Sequence, residues 1–271
     1  MTWSLERSYD FSQGQVAYDI KGSGPPVVLV HGTPWSSFTW HHVIDALAER
    51  YTVHYYDLIG YGRSEMRDGQ DVSLGVQNVL LAELLDLWGL EAPMVVAHDF
   101  GGATALRAHI LGERDFARIA LMNVVALAPW GSSFFQHVQR HEAAFTGLPP
   151  YIHKAIVEAY IRTALYGDLD ARDLDALVAP WLSDEGQRAF YRQIVQADQK
   201  FTDEVEERYG KIDAPVSILW GVDDAWIPIG TGERLHQAIP GSSFEPIPRA
   251  GHLVQLDQPD AVISSLLKFL D

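Results

Sequence analysis

Short apolar runs alternate with stretches of helical period along much of this chain. Residues 15–20 (Gln-Val-Ala-Tyr-Asp-Ile) alternate as a half-buried strand does, residues 22–26 turn, and residues 27–30 are continuously apolar. The first thirty residues therefore predict a hairpin and then a buried strand. A helical stretch follows through Trp40, Val43, Ile44, Leu47 and Ala48, then a strand over 52–56 and a helix over 73–90 carrying Leu74, Leu80, Leu84 and Trp88. Further strands are predicted over 93–97 and 119–125, with a helix-like run at 103–108 between them. Strand alternating with helix predicts an α/β fold: a mostly parallel sheet flanked by helices on both faces.

After Pro129 the rhythm changes. Residues from about 131 to 210 look almost wholly helical, interrupted at Gly147-Leu148-Pro149-Pro150, at Gly167-Asp168 and at Pro180. Aromatics crowd this stretch, including Phe134, Phe135, Tyr151, Tyr160, Trp181 and Tyr191. Strand and helix resume at 215–220. The predicted organisation is a core of residues 1–129 and 212–271, with residues 130–211 inserted as a helical cap over the sheet edge where open α/β sheets bind ligands.

Composition narrows the chemistry. A formal charge of −16 speaks against nucleic acid or an anionic membrane surface as a partner. With no cysteine, thiolate metal sites, disulfides and cysteine nucleophiles are excluded. Residues 1–7 carry no basic stretch followed by an apolar one, and no apolar run is long enough to span a bilayer, so a soluble cytoplasmic protein is expected, as monomer or homodimer.

The most telling residues are Ala97-His98-Asp99-Phe100-Gly101-Gly102. A strand runs in, a helix runs out, and small residues flank the turn, as in a nucleophile elbow with an aspartate at its centre. The competing reading of Asp99 is a helix N-cap, which does not explain the paired glycines. Two more groups follow strand-like segments. Asp224 lies in Trp220-Gly221-Val222-Asp223-Asp224-Ala225-Trp226, and His252 lies in Arg249-Ala250-Gly251-His252. His31 and His98 are read as structural.

These motifs, together with His31-Gly32-Thr33-Pro34 and residues 57–64 (Asp-Leu-Ile-Gly-Tyr-Gly-Arg-Ser), resemble those of the α/β-hydrolases with a helical cap, across nearly the whole chain. The order nucleophile, acid, histidine is theirs. An elbow aspartate resembles the epoxide hydrolase and haloalkane dehalogenase branches. The resemblance implies Asp99 as nucleophile, His252 as base and Asp224, rather than Asp223, as its orienting acid. Backbone N–H groups of Thr33 and Phe100 would then form the oxyanion hole. Water is the implied co-substrate of a small, largely apolar substrate, with no metal or organic cofactor.

The leaving group divides the two branches. Dehalogenases of this type usually follow the nucleophile with tryptophan; here Phe100 has no ring donor, leaving Trp35 and Trp181 as candidates. Epoxide hydrolases use lid tyrosines, and Tyr191-Arg192 resembles one of them. Epoxide opening to a diol is the favoured expectation, haloalkane dehalogenation the alternative. A hydrolase-fold protein that binds a small ligand with weak or no catalysis is a third.

Overall fold

The computed structural model describes residues 3–271. Among these, eight strands form one sheet: β1 (Arg7–Phe11), β2 (Gly14–Gly22), β3 (Pro26–Val30), β4 (Thr52–Tyr56), β5 (Met94–His98), β6 (Arg118–Met122), β7 (Val216–Gly221) and β8 (Ser243–Ile247). Their order is β1-β2-β4-β3-β5-β6-β7-β8. β2 runs antiparallel to both β1 and β4, and the remaining neighbours are parallel. A tight turn allows the β1–β2 reversal, whereas parallel neighbours need crossovers. Helices α1 (His41–Leu47), α2 (Leu74–Trp88) and α3 (Phe100–Ile110) supply the early ones. The expected α/β-hydrolase fold is what the chain adopts.

The strand pattern explains the layering. β5 is buried at all five positions and β7 at all six, because both sheet faces are covered. Val28, Val30, Val95 and Ala97 enter one apolar cluster, which also takes in residues of α2 and α3. Their neighbours Val27, Leu29, Met94 and Val96 enter a second cluster on the opposite face, with residues of α1. This is the period-two alternation of a pleated strand, apolar on both sides.

Between β6 and β7 the chain is helical: α4 (Ser133–Thr146, kinked at His141), α5 (Pro150–Arg162), α6 (Ala171–Val178), α7 (Asp184–Val195) and α8 (Lys200–Glu206). Helices α9 (Ile229–Ala238), α10 (Val254–Asp257) and α11 (Pro259–Leu270) follow. None of the described helices is long and apolar enough to cross a membrane.

One strand ends earlier than its apolar run suggests. The pattern predicts strand over 119–125, but β6 stops at Met122 and Asn123 adopts a left-handed φ of 45°. Asparagine tolerates that region better than β-branched neighbours would. The turn sends its amide into the site described next.

Candidate active site

Asp99 stands between β5, at the centre of the sheet, and α3. Its φ of 52° and ψ of −122° are strained for a residue with a Cβ, and such strain holds only where the surroundings enforce it. Two glycines make the turn sterically feasible. A Cβ on Gly101 would strike the Val30 carbonyl, and one on Gly32 would strike the Asp99 carboxylate. The N-cap reading fails, since the Asp99 side chain caps no α3 amide. Its Oδ1 instead accepts the Thr33 N–H at 2.6 Å.

The three candidate ionisable groups meet. His252 Nδ1 donates to Asp224 Oδ2 at 2.9 Å, and His252 Nε2 lies 3.2 Å from Asp99 Oδ2, without hydrogen-bond alignment. Asp224 is held firmly: Oδ1 accepts the Trp226 and Ile227 N–H groups at 2.7 and 2.9 Å, and Oδ2 accepts Asn123 Nδ2 at 2.7 Å. Asp223 is exposed and takes no part in these contacts. Behind the imidazole, His98 Nε2 donates to the His252 carbonyl at 2.8 Å. Burial and the neighbouring His252 charge push His98 down to about 3, so it stays neutral. His31 donates from Nδ1 to Gly32 and accepts the Leu58 N–H at Nε2, bracing the loop.

Electrostatics sets the resting charge state. Burial is the largest influence on His252 and would lower its pKa. The Asp224 charge and hydrogen bond, with Asp99 behind them, outweigh it and hold the ring up at about 10. Burial likewise would raise Asp224, but the His252 charge and its hydrogen bonds bring it below the usual carboxylate value. At neutral pH the site is thus an imidazolium between two carboxylates. Because His252 is raised on folding, its contribution to stability is complete below its unfolded value of 6.5 and disappears as pH rises through about 10. The stability gap between wild type and His252→Gln, measured by urea unfolding, is expected to shrink from neutral pH through that range. A gap independent of pH would refute the charged pair.

A cavity of about 40 Å³ lies against Asp99, lined by Thr33, Phe100, Trp130, Phe135, Tyr160 and Trp226, among others. It holds at most a few waters, whose minimum need is about 10–15 Å³ each. The larger hollow near Trp3, Phe38 and Arg63 does not touch Asp99 or His252.

Two expectations are corrected here. The Trp181 indole donates to the Pro34 carbonyl at 3.0 Å, so it braces the Thr33 loop and offers no donor to the cavity. Tyr191 does not line the cavity either. His153 Nε2 donates to the Trp181 carbonyl, so its neutral Nδ1 accepts the Tyr191 hydroxyl at 2.9 Å. The phenol that does line it is Tyr160 of α5, whose hydroxyl makes no hydrogen bond among the described residues. Trp35 is buried beside the site with an unpartnered indole N–H.

Trp226 went unassigned in the sequence. Its ring stacks on His252 at 4.9 Å, on Tyr160 at 4.4 Å and on Trp35 at 5.5 Å. An aromatic face over an imidazolium is a favourable cation–π arrangement. Its place two residues after Asp224 was the available signal.

A strained acidic turn, a buried imidazole and an orienting carboxylate at the strand ends of a mostly parallel sheet define a hydrolase-type site. The chain belongs to the alpha/beta hydrolase family, whose model matches residues 27–265. It is 48% identical to an alpha/beta hydrolase fold protein from Burkholderia ambifaria, with 99% of each chain covered and a TM-score of 0.96. It is 23% identical to haloalkane dehalogenase 2 of Mycobacterium tuberculosis, over 97% of this chain and 93% of that one. A solved epoxide hydrolase, CorEH, shares 23% identity and a TM-score of 0.78, with 97% of each chain covered.

Proposed function

We propose that the protein hydrolyses a small epoxide to a diol through an ester of Asp99, with residues 130–211 acting as a lid. Tyr160 carries this reading: a phenol without a hydrogen-bond partner lines the same cavity as Asp99. Burial, reinforced by the Asp99 charge, raises its pKa well above the ordinary 10.0, so it stays protonated and can donate. A halide, by contrast, needs N–H donors. Those of Trp130, Trp181 and Trp226 are already bonded to Thr202, Pro34 and Thr163.

Oδ1 of Asp99 is engaged by Thr33, which leaves Oδ2 to attack carbon from behind the C–O bond. The opening oxygen takes the Tyr160 proton, and the His252 imidazolium reprotonates the phenolate. His252 is then a neutral base, and it takes a proton from the water that attacks the ester carbonyl. Negative charge on Oδ1 in that step is met by the Thr33 N–H, with the Phe100 N–H as the second donor. The alcohol leaves with the remaining proton, and Asp99 and the imidazolium are restored.

The test is a panel of small epoxides and alkyl halides, with diol and halide measured separately for wild type and Tyr160→Phe. Diol is expected from epoxides, with kcat reduced about 10²–10⁴-fold in the variant, the usual range for a lost general acid. Halide release with no diol from any epoxide would overturn the reading. The unpartnered indole N–H of Trp35 supports that second reading, dehalogenation, and Trp35→Phe would then abolish halide release.

A further inference from the structure

Away from the cavity, three side chains converge where α1 meets α6. His41 and His42 open α1, and Asp173 lies in the first turn of α6. One donor atom from each lies within 4.8 Å of the others. These residues come together because α6 packs against the turn of residues Ser37–Trp40 that leads into α1.

We propose that His41, His42 and Asp173 form a binding site for a late first-row divalent cation such as Zn²⁺, fastening the helical segment to the core. His41 is prepared for it. Its Nδ1 donates to the Phe38 carbonyl at 2.9 Å, which leaves the Nε2 lone pair for a metal. Such a backbone acceptor behind the ring is the usual support of a ligating histidine. The ring is also stacked on Phe38 at 4.6 Å, which fixes its orientation.

The other two ligands are compatible. The His42 ring centre is 3.9 Å from that of His41, and His42 is exposed enough to turn. Asp173 has its backbone N–H on the Asp170 cap, while its carboxylate makes no hydrogen bond or ion pair among the described residues. Tetrahedral zinc, with bonds of about 2.0–2.1 Å, holds its donors about 3.3 Å apart, so rotations of both the His42 and Asp173 side chains are needed to draw in donors that now lie within 4.8 Å of one another. Asp45, a turn further along α1 and paired with Lys21 at 2.7 Å, adds negative field beside His41. Two imidazoles and one carboxylate favour zinc, nickel or copper over magnesium or calcium, and water completes the shell.

The position gives the cation a consequence. α6 runs directly into Ala179–Trp181, and Trp181 holds the Pro34 carbonyl of the Thr33 loop. A metal at the start of α6 therefore stiffens the part of the helical segment that braces this loop.

Untagged protein titrated with zinc chloride by calorimetry should bind one ion per chain, with a raised Tm and slower hydrogen exchange in α6. Magnesium should shift neither. Asp173→Asn and His42→Ala should each weaken zinc binding by more than about tenfold, at least the scale of losing an outer-shell partner. Both change exposed or half-buried side chains, and circular dichroism checks their fold. His137 and His141 of α4 form another pair, with rings 4.7 Å apart, so His137→Ala is the control and should bind normally. Absence of stoichiometric binding, binding unchanged in both variants, or binding lost in the control would each overturn the site.

Discussion

On the proposed mechanism, replacing His252 by glutamine should arrest the reaction at the covalent ester. The first half-reaction needs the Asp99 carboxylate and a proton donor to the leaving oxygen, and neither is His252. The second needs a base within reach of the attacking water. His252 Nε2, 3.2 Å from Asp99 Oδ2, is the group so placed, and glutamine cannot accept a proton at neutral pH. Intact-protein mass spectrometry of the variant with a turned-over substrate should show a gain of one substrate mass, assigned by peptide mapping to Asp99. Steady-state turnover should fall by at least about 10⁴-fold, in line with losses of a base that acts as a unit with its nucleophile. An unmodified variant that still lacks activity would remove His252 from the hydrolytic half and weaken the ester reading itself. Glutamine also leaves Asp224 with three N–H donors from Asn123, Trp226 and Ile227, so the acid keeps its place and the fold should survive.

On the same mechanism, Asp99→Ala should abolish turnover, and it alters the site differently. No ester can form, so no mass gain appears even in combination with His252→Gln. The Thr33 N–H loses its acceptor at 2.6 Å, and a buried unpaired donor costs about 1–3 kcal/mol. His252 loses one of the two carboxylates that raise it. The double readout is a loss of activity of at least about 10⁴-fold with only modest destabilisation. Wild type in a single turnover in heavy-oxygen water completes the test, because the first product should carry an unlabelled oxygen taken from Asp99. Solvent label in that first product, or residual activity in Asp99→Ala near wild type, would show that water attacks the substrate directly.

The local features of this site were legible because each is encoded by contiguous residues. The apolar run into His98, the glycines at 101 and 102 and the strand that ends at Gly221 each announce a turn at the end of a buried strand. Their common destination follows from parallel strands, since every such turn falls on one edge of the sheet. Asp224 was separable from Asp223 only through the resemblance; in the structure Asp224 is buried against His252 and Asp223 is exposed.

Long-range partners were not legible in that way. Tyr191 looked like the lid acid from its neighbours, yet its hydroxyl is consumed by His153, 38 residues away, and Tyr160 faces the cavity instead. Trp181 looked like a donor, yet its N–H closes on Pro34, 147 residues away. Asn123 gave no signal at all, lying inside an apolar run read as strand, where its left-handed φ turns it onto Asp224. In a helical segment rich in aromatics, helical period alone does not say which face meets the sheet.

The sequence by itself determined the sheet, the helical insertion and an aspartate at the elbow, since these rest on local periodicity, backbone sterics and chain order. Only the tertiary structure decided which donors remain free around Asp99, that His252 rests as an imidazolium between two carboxylates, and that His41, His42 and Asp173 meet. The first two outcomes depend on which buried polar groups find partners across the fold, and burial makes an unpartnered group costly enough that the pairing itself selects the arrangement; the third depends on where α6 packs.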